Sequence, residues 1–372
     1  MKPLVLVTGG AGFIGSHIVE MLLERGYSVR VYDKLVDQVH NGTGPKYVPK
    51  DADFIQADMR DADKLRHALD GVRLIIHDAA EVGVGQSMYE IVRYIDANTG
   101  GTAVLLELLA NEPHQVEKIV VASSMSIYGE GAYLCDRDGE VYPRLRPEAQ
   151  LAQHEWEMRC PKCGQFVKPL PTHEEKPLVP TSVYAISKMD QELMCLAVGQ
   201  AYGIQVVALR YFNVYGPRQS LSNPYTGVAA IFNSRLLNGR APVIFEDGDQ
   251  SRDFIHVSDI GRANILALES GRANDQVLNI GTGRAMSILE VARILARQLG
   301  VDVEPEVVKQ YRAGDIRHCY ADISKARDIL GFEPHVHFED GMARLTNWVS
   351  EQGATDRVDS ARAELERRGL TR

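Results

Sequence analysis

The stretch VTGGAGFIGSH, residues 7–17, sets Gly9, Gly12 and Gly15 at three-residue intervals between a short branched apolar run, 4–7, and a segment in which Phe13, Ile14, Ile18, Met21 and Leu22 recur at helical spacing. Strand, glycine turn and helix in that order are what a phosphate-binding crossover requires, because backbone approaches a diphosphate closely only where no Cβ intervenes. In this reading Gly9 holds the turn, Gly12 permits the approach and Gly15 lets the helix pack on the strand. Glycine-rich turns are common, so the remainder of the chain has to decide.

Further apolar runs at 29–32, 54–55, 74–76, 119–122 and 206–209 alternate with helix-like stretches near 13–25, 61–69, 88–111 and 182–202. That alternation predicts an α/β fold with a doubly wound parallel sheet. Past residue 210 the strands shorten, as at 243–245 and 277–280, and helices are expected near 225–238, 258–270, 287–299, 323–330 and 338–351. The expected organisation is a sheet domain over 1–210, a smaller C-terminal α/β lobe over 211–354 that takes the substrate, and an exposed amphipathic helical tail over 355–372. Residues 130–181, rich in Pro, charge and Cys, read as a module inserted in the first domain.

The chain has 372 residues, 45% of them hydrophobic and 24% charged, enough for one large or two moderate cores. A formal charge of -9 argues against a nucleic-acid partner. No apolar run approaches the roughly 20 residues that span a bilayer, and the first strand-like run is reached without a signal-like segment, so a cytoplasmic protein without membrane association is expected. In that compartment the five cysteines are free thiols or metal ligands rather than disulfides.

Asp33 closes the second strand-like run, where a carboxylate can accept from adenosine ribose hydroxyls and repel a 2′-phosphate, favouring NAD over NADP; Arg30 and Lys34 lie close enough to soften that preference. Asp58 follows the third run, within reach of an adenine amino group. In SVYAISK, Tyr184 and Lys188 stand one helical turn apart on one face, an arrangement in which an ammonium is expected to lower the phenol's pKa from near 10 toward that of a usable base. Ser124, at the end of the run that continues into SSMSIYG, offers a hydroxyl that can relay a proton between substrate and Tyr184.

With these residues in place the chain resembles an extended short-chain dehydrogenase/reductase of the nucleotide-sugar epimerase and dehydratase group. The resemblance rests on TGGAGFIGSH, DAAEVGVGQS, SSMSIYG, YAISK, RYFNVYGPRQ, RDFIHVSDI, NIGTG and RAGDIRHCYADISKARDILGF, in order and over most of the length. It implies a Rossmann-type sheet and a tightly bound NAD held by Gly9, Gly12, Phe13, Ile14, Gly15, Asp33, Lys34, Asp58, Met59, Ala79, Ala80 and Asn98 together with Tyr184 and Lys188. It implies catalysis by Ser124, Tyr184 and Lys188. It also implies a nucleotide-diphosphate sugar contacted by Asn213, Arg252, Arg312 and Asp315, with Val82, Ser124, Ser126 and Asn223 in the 223–228 loop about the sugar, and a homodimer.

Members of the group that eliminate water carry Asp-Glu in the two places after Ser124, because elimination needs both an acid and a base; decarboxylating members keep a glutamate in the second. Here those places hold Met125 and Ser126. What remains is 4-epimerisation through a 4-ketosugar. AAEVGVGQSMYEIVRY, SSMSIYGEG and SNPYTGVAAIF resemble enzymes acting on dTDP-L-rhamnose to give dTDP-6-deoxy-L-talose; UDP-glucose, UDP-N-acetylhexosamine and UDP-glucuronate stay open as alternatives, with a reductase behind them.

The inserted module contains CPKCG. Cys160 and Cys163 at that spacing form half a zinc site, which Cys135 and a histidine, His154 or His173, would complete if they converge; free thiols are the alternative. Leaving the core after Ser124 and returning before Tyr184, the module is expected to be a lid over the sugar.

Overall fold

The computed structural model describes residues 2–352 apart from 41, 43, 221–226 and 313, and residues 363–371 apart from 365. Its central sheet has seven parallel strands in the spatial order Gln276–Ile280, Gln205–Tyr211, Lys118–Ser124, Val72–His77, Leu4–Thr8, Ser28–Asp33 and Asp53–Gln56. Alternate residues feed opposite faces, as the two-residue period of a strand demands. Val5, Val7, Val29, Val31 and Ile76 enter one core with helices Phe13–Glu24 and Val257–Glu269. Leu6, Tyr32 and Ile75 enter the other with helices Ala62–Ala68, Gly101–Asn111 and Val183–Tyr202. A third core joins helices Val228–Leu237, Ile288–Leu299 and Phe338–Gln352 to Ile244 and Phe254.

The boundary expected at 210 is crossed twice. Strand Gln276–Ile280 pairs in register along Gln205–Tyr211, and helix Val257–Glu269 covers the sheet, so the chain returns to the first core after starting the second. Local patterning shows that 277–280 is a strand but not which sheet it joins. The helix expected over 88–111 is interrupted: Ile95–Gly100 is a π turn between Ile91–Tyr94 and Gly101–Asn111. Such bulges cluster at functional sites because they re-aim one side chain, here Asn98. Most of the expected tail helix lies outside the described residues.

The inserted module builds its own antiparallel sheet, Ala132–Cys135 between Gly139–Val141 and Lys168–Leu170. It rests on the C-terminal lobe: Gly131 donates to the His318 carbonyl at 2.9 Å, and Thr172 to that of Tyr320 at 2.8 Å.

His77, wholly buried at the end of its strand, is tied to Thr8 Oγ1 at 2.8 Å, Thr102 Oγ1 at 2.9 Å and Gln191 Nε2 at 3.3 Å. Burial, with the Lys188 charge adding to it, pulls its pKa down to about 3. The unfolded chain takes up that proton near pH 6.5 while the fold refuses it, so this contribution to stability is complete above pH 6.5 and is lost as pH falls toward about 3. Against His77→Asn, the wild type is therefore expected to lose about 1.4 kcal/mol more per pH unit between pH 6 and 4, read from urea midpoints. Parallel pH slopes would contradict a neutral buried imidazole.

Candidate active site

At the carboxyl ends of the strands the order reverses between Leu4–Thr8 and Val72–His77, and a cleft of about 420 Å³ opens there. One wall is the glycine turn. Gly9 has φ +72°, and a Cβ on Gly15 would stand 2.2 Å from the Gly9 carbonyl oxygen, so helix Phe13–Glu24 can lie this close to the turn only with glycine at 15. That helix has no side-chain cap and no acidic residue in its first turn, and Gly12, Phe13 and Ile14 line the cleft. An uncapped N-terminus directed into a cavity is an anion cradle. Asp33 lies at the next strand's end, its carboxylate accepting from Ala11 N at 3.0 Å and Leu35 N at 2.8 Å. Asp58 faces the same space but is already engaged: hydrogen bonds from Arg60 and Lys34 outweigh partial burial and hold its carboxyl well below the usual range.

The opposite wall carries the reactive hydroxyls. Ser182 caps helix Val183–Tyr202 by accepting from Ala185 N at 3.1 Å, which sends Tyr184 inward in the first turn. Tyr184 N donates to Ser87 Oγ at 3.0 Å, and its ring meets Tyr94 edge-on, with centroids 6.5 Å apart. Its phenol is hydrogen-bonded with Ser124, whose Oγ lies 2.5 Å from Ser126 Oγ. Lys188 Nζ donates to the Ala122 carbonyl at 2.7 Å and to Gln191 Oε1 at 2.9 Å. Burial pushes the Tyr184 phenol up to about 12, against the Ser124 hydrogen bond and with the buried Asp78 carboxylate adding to the rise. The lowering expected from Lys188 is thus outweighed, since its ammonium is spent on backbone and amide oxygens. Lys188 is itself pulled down by burial and held back by Asp78.

Of the residues singled out in the sequence, Gly9, Gly12, Phe13, Ile14, Asp33, Lys34, Asp58, Met59, Ala79, Ala80, Val82, Ser124, Ser126, Tyr184, Lys188 and Asn213 line this cleft. Gly15 lies behind it as packing. Asn98 is also set back: its side chain accepts from Glu81 N at 2.7 Å and donates to the Glu81 carbonyl at 3.1 Å and Ser187 Oγ at 2.9 Å, so it ties the 79–82 loop to the tyrosine's helix rather than facing the cavity. Arg252, Arg312 and Asp315 gather away from the lining residues, where Asp315 accepts from Arg252 Nη2 at 3.1 Å and from Arg312 Nη2 at 2.8 Å. Asn223 lies outside the described residues.

Nor does the inserted module form a lid, since no residue from 127 to 183 lines the cleft. Its charges reach the C-terminal lobe instead: Arg146 pairs with Glu246 through two contacts of 2.8 Å, and Glu157 takes Arg317 Nη2 at 2.5 Å. Sequence reasoning passed over Asp78, whose signal was its place directly after a central strand beside Ala79 and Ala80. It also passed over Arg317, which carries no local signal.

The NAD dependent epimerase/dehydratase family profile matches residues 5–149 and 162–281 and skips 150–161, inside the inserted module. The dTDP-L-rhamnose 4-epimerase of Burkholderia thailandensis is 36% identical over 351 residues, 94% of this chain and 95% of the relative. Among solved structures, the UDP-glucose 4-epimerase of Thermotoga maritima with UDP-glucose superposes with a TM-score of 0.77 at 32% identity, covering 94% of this chain and 99% of that one. The Thermus thermophilus UDP-glucose 4-epimerase with NAD superposes with a TM-score of 0.74 at 32% identity and the same coverage. Glycine turn, strand-end acid and buried Tyr184 stand where such a chain needs them, and the protein belongs to the NAD dependent epimerase/dehydratase family.

Proposed function

We propose that this chain is an NAD-dependent 4-epimerase of nucleotide-activated hexoses, with dTDP-L-rhamnose, converted to dTDP-6-deoxy-L-talose, as its preferred substrate. The observation that carries the reaction type is the Tyr184–Ser124–Ser126 hydroxyl chain, which occupies the place where an eliminating enzyme needs carboxylates; Met125 beside it is apolar and buried.

The cleft suits NAD: Gly9, Gly12 and the uncapped helix would take its diphosphate, and Asp33 its adenosine ribose. When bound, the nicotinamide accepts the C4 hydride and returns it to the other face of the sugar, so no net redox change results. Tyr184 removes the C4 hydroxyl proton, directly or through Ser124, and later restores it. Ser126 holds the Ser124 hydroxyl in line. Lys188, anchored by Ala122 and Gln191, keeps positive charge near the phenol in a site that burial has made costly for an anion. Arg252 and Arg312, now sharing Asp315, would exchange that carboxylate for substrate phosphate oxygens.

The sugar follows from the wall it would meet. Among the described residues no arginine lines the cleft, and its lysines are Lys34, paired with Asp58 at 3.1 Å, and Lys188, held by a carbonyl. A C6 carboxylate would be left unpartnered, whereas half-exposed Val82 accepts a C6 methyl. The likeness to the Burkholderia enzyme points the same way. A homodimer joined through helices Ile91–Tyr94 and Val183–Tyr202 would cover Val92, Ile186 and Leu193, which are exposed in the single chain.

Purified protein is expected to release nearly one NAD per chain on denaturation. Without added cofactor it is expected to convert dTDP-L-rhamnose in deuterated buffer, with product NMR showing inversion at C4 and no deuterium at C5 or C6. Solvent deuterium at C5 would indicate elimination, a requirement for NADH would indicate a reductase, and faster turnover of a UDP-sugar would reassign the substrate.

A further inference from the structure

We propose that Cys135, Asp138, Cys160 and Cys163 form a four-ligand zinc site that holds the inserted module in shape, and through it the backbone carrying the Arg252–Asp315 pair. The four ligand atoms lie within 4.8 Å of one another. Cys135 Sγ is 3.5 Å from Cys163 Sγ, and Asp138 Oδ2 is 3.2 Å from Cys160 Sγ and 3.6 Å from Cys135 Sγ. A tetrahedral zinc with bonds of ~2.3 Å to sulfur spaces its sulfurs by ~3.8 Å, so the side chains need little movement to take the ion.

Both halves of the site are turns that aim two ligands at one point. Cys160–Cys163 closes with Gly164 at φ +75°, its N–H donating to the Cys160 carbonyl at 2.9 Å, while Lys162 N lies 3.4 Å from Cys160 Sγ, a donor placed for a thiolate. Cys135 and Asp138 repeat the same spacing across the hairpin between strands Ala132–Cys135 and Gly139–Val141, with Gly139 at φ +74°. The fourth ligand is therefore an aspartate and not the histidine expected from the sequence. His154 stacks on Trp156 with centroids 5.3 Å apart, and His173 is bonded to Glu140 at 2.9 Å and to Tyr142 at 3.1 Å. Three soft sulfur donors and one carboxylate favour zinc over magnesium or calcium.

The module needs a staple. Its own apolar core is Tyr133, Val141, Met158 and Val167 with the ligands Cys135 and Cys160, and a unit this small seldom holds together on hydrophobic burial alone. From it, Glu130 accepts Arg317 N at 2.7 Å and Glu157 accepts His318 Nε2 at 3.3 Å. Arg252 in turn donates to the carbonyls of Ile316 at 2.7 Å and Arg317 at 3.0 Å. Ordering the module thus orders the arm on which Arg252 hangs.

Untagged protein grown with zinc is expected to contain about one zinc per chain by mass spectrometry, released when its thiols are titrated with a mercurial. Cys160→Ser with Cys163→Ser is expected to lose it, whereas Asp138→Cys keeps it; should the double variant fail to fold, Asp138→Cys and the mercurial release still decide. Zinc-free folded wild type, or a Cys135–Cys163 disulfide in the non-reduced protein, would overturn the site. The positioning role rests on the diphosphate role proposed for Arg252, and it is read separately: loss of zinc is expected to raise KM for the sugar nucleotide about tenfold with NAD content unchanged. Zinc loss with unchanged KM would overturn that role and leave the metal site standing.

Discussion

Replacing Tyr184 by Phe is expected to lower turnover by about 10²–10⁴-fold, the usual worth of a positioned proton-transfer group, while sugar-nucleotide binding and NAD content stay close to wild type. The substitution removes one oxygen and no ring volume, so the edge-on contact with Tyr94 and the Ser87 cap on the Tyr184 amide both persist. Ser124 loses its partner but keeps Ser126 at 2.5 Å. What disappears is the group that must hold the C4 hydroxyl proton. Because burial places the phenol near 12 before any cofactor charge is added, its deprotonation depends on the cation beside it, and Lys188→Ala is expected to be comparably severe. Product formation by NMR decides the matter. Retention of more than about a tenth of wild-type turnover by Tyr184→Phe would show that some other group takes the proton.

Why Tyr184, Lys188 and Ser124 could be read from the chain is plain in the fold. Two of them share one helix face, and the third ends the strand against which that helix packs, so local periodicity carries nearly all the information. The glycine turn was legible for the same reason: Gly9, Gly12 and Gly15 answer to backbone geometry within seven residues. Contacts between distant segments behave differently. Arg252, Arg312 and Asp315 share a carboxylate, a convergence that no spacing encodes. Asn98 sits in a π turn that an apolar period of 3.6 hides, and its amide is consumed by Glu81 and Ser187. The inserted module's connection points suggested a lid because both lie at the site, yet its charges decide where it settles, and their partners are distant in sequence. Asp138 could have been found, since Cys135–Asp138 repeats the Cys160–Cys163 spacing, but an aspartate is an ordinary hairpin residue unless the sulfurs are seen around it.

Arg317→Met is expected to destabilise the protein by about 3–5 kcal/mol, the range for removing one partner from a buried ion pair. Arg317 is fully buried, and its guanidinium serves three carboxylates: Glu157 at 2.5 Å, Asp247 at 2.6 Å and Glu246 at 3.1 Å. Methionine fills much of the space but leaves those oxygens facing apolar surface. Glu246 keeps Arg146; Glu157 and Asp247, half open to water, recover part of their hydration, which places the loss within that range rather than above it. Arg317→Lys is expected to rescue only part of it, because one ammonium cannot meet three acceptors in the plane of a guanidinium. The pH dependence distinguishes lost charge pairing from lost packing. Burial alone would raise Glu157, but His318 and Arg317 hold it down at about 2, so its contribution is present above pH 4.5 and is lost as pH falls toward 2. The gap between wild type and Arg317→Met in urea midpoints is therefore expected to narrow across that window, whereas a packing defect would keep it constant. Arg252 leans on the Arg317 carbonyl, so KM for the sugar nucleotide should rise with NAD content unchanged. A loss below about 1 kcal/mol at pH 7 would mean that the network between the module and the lobe contributes no more than a surface pair.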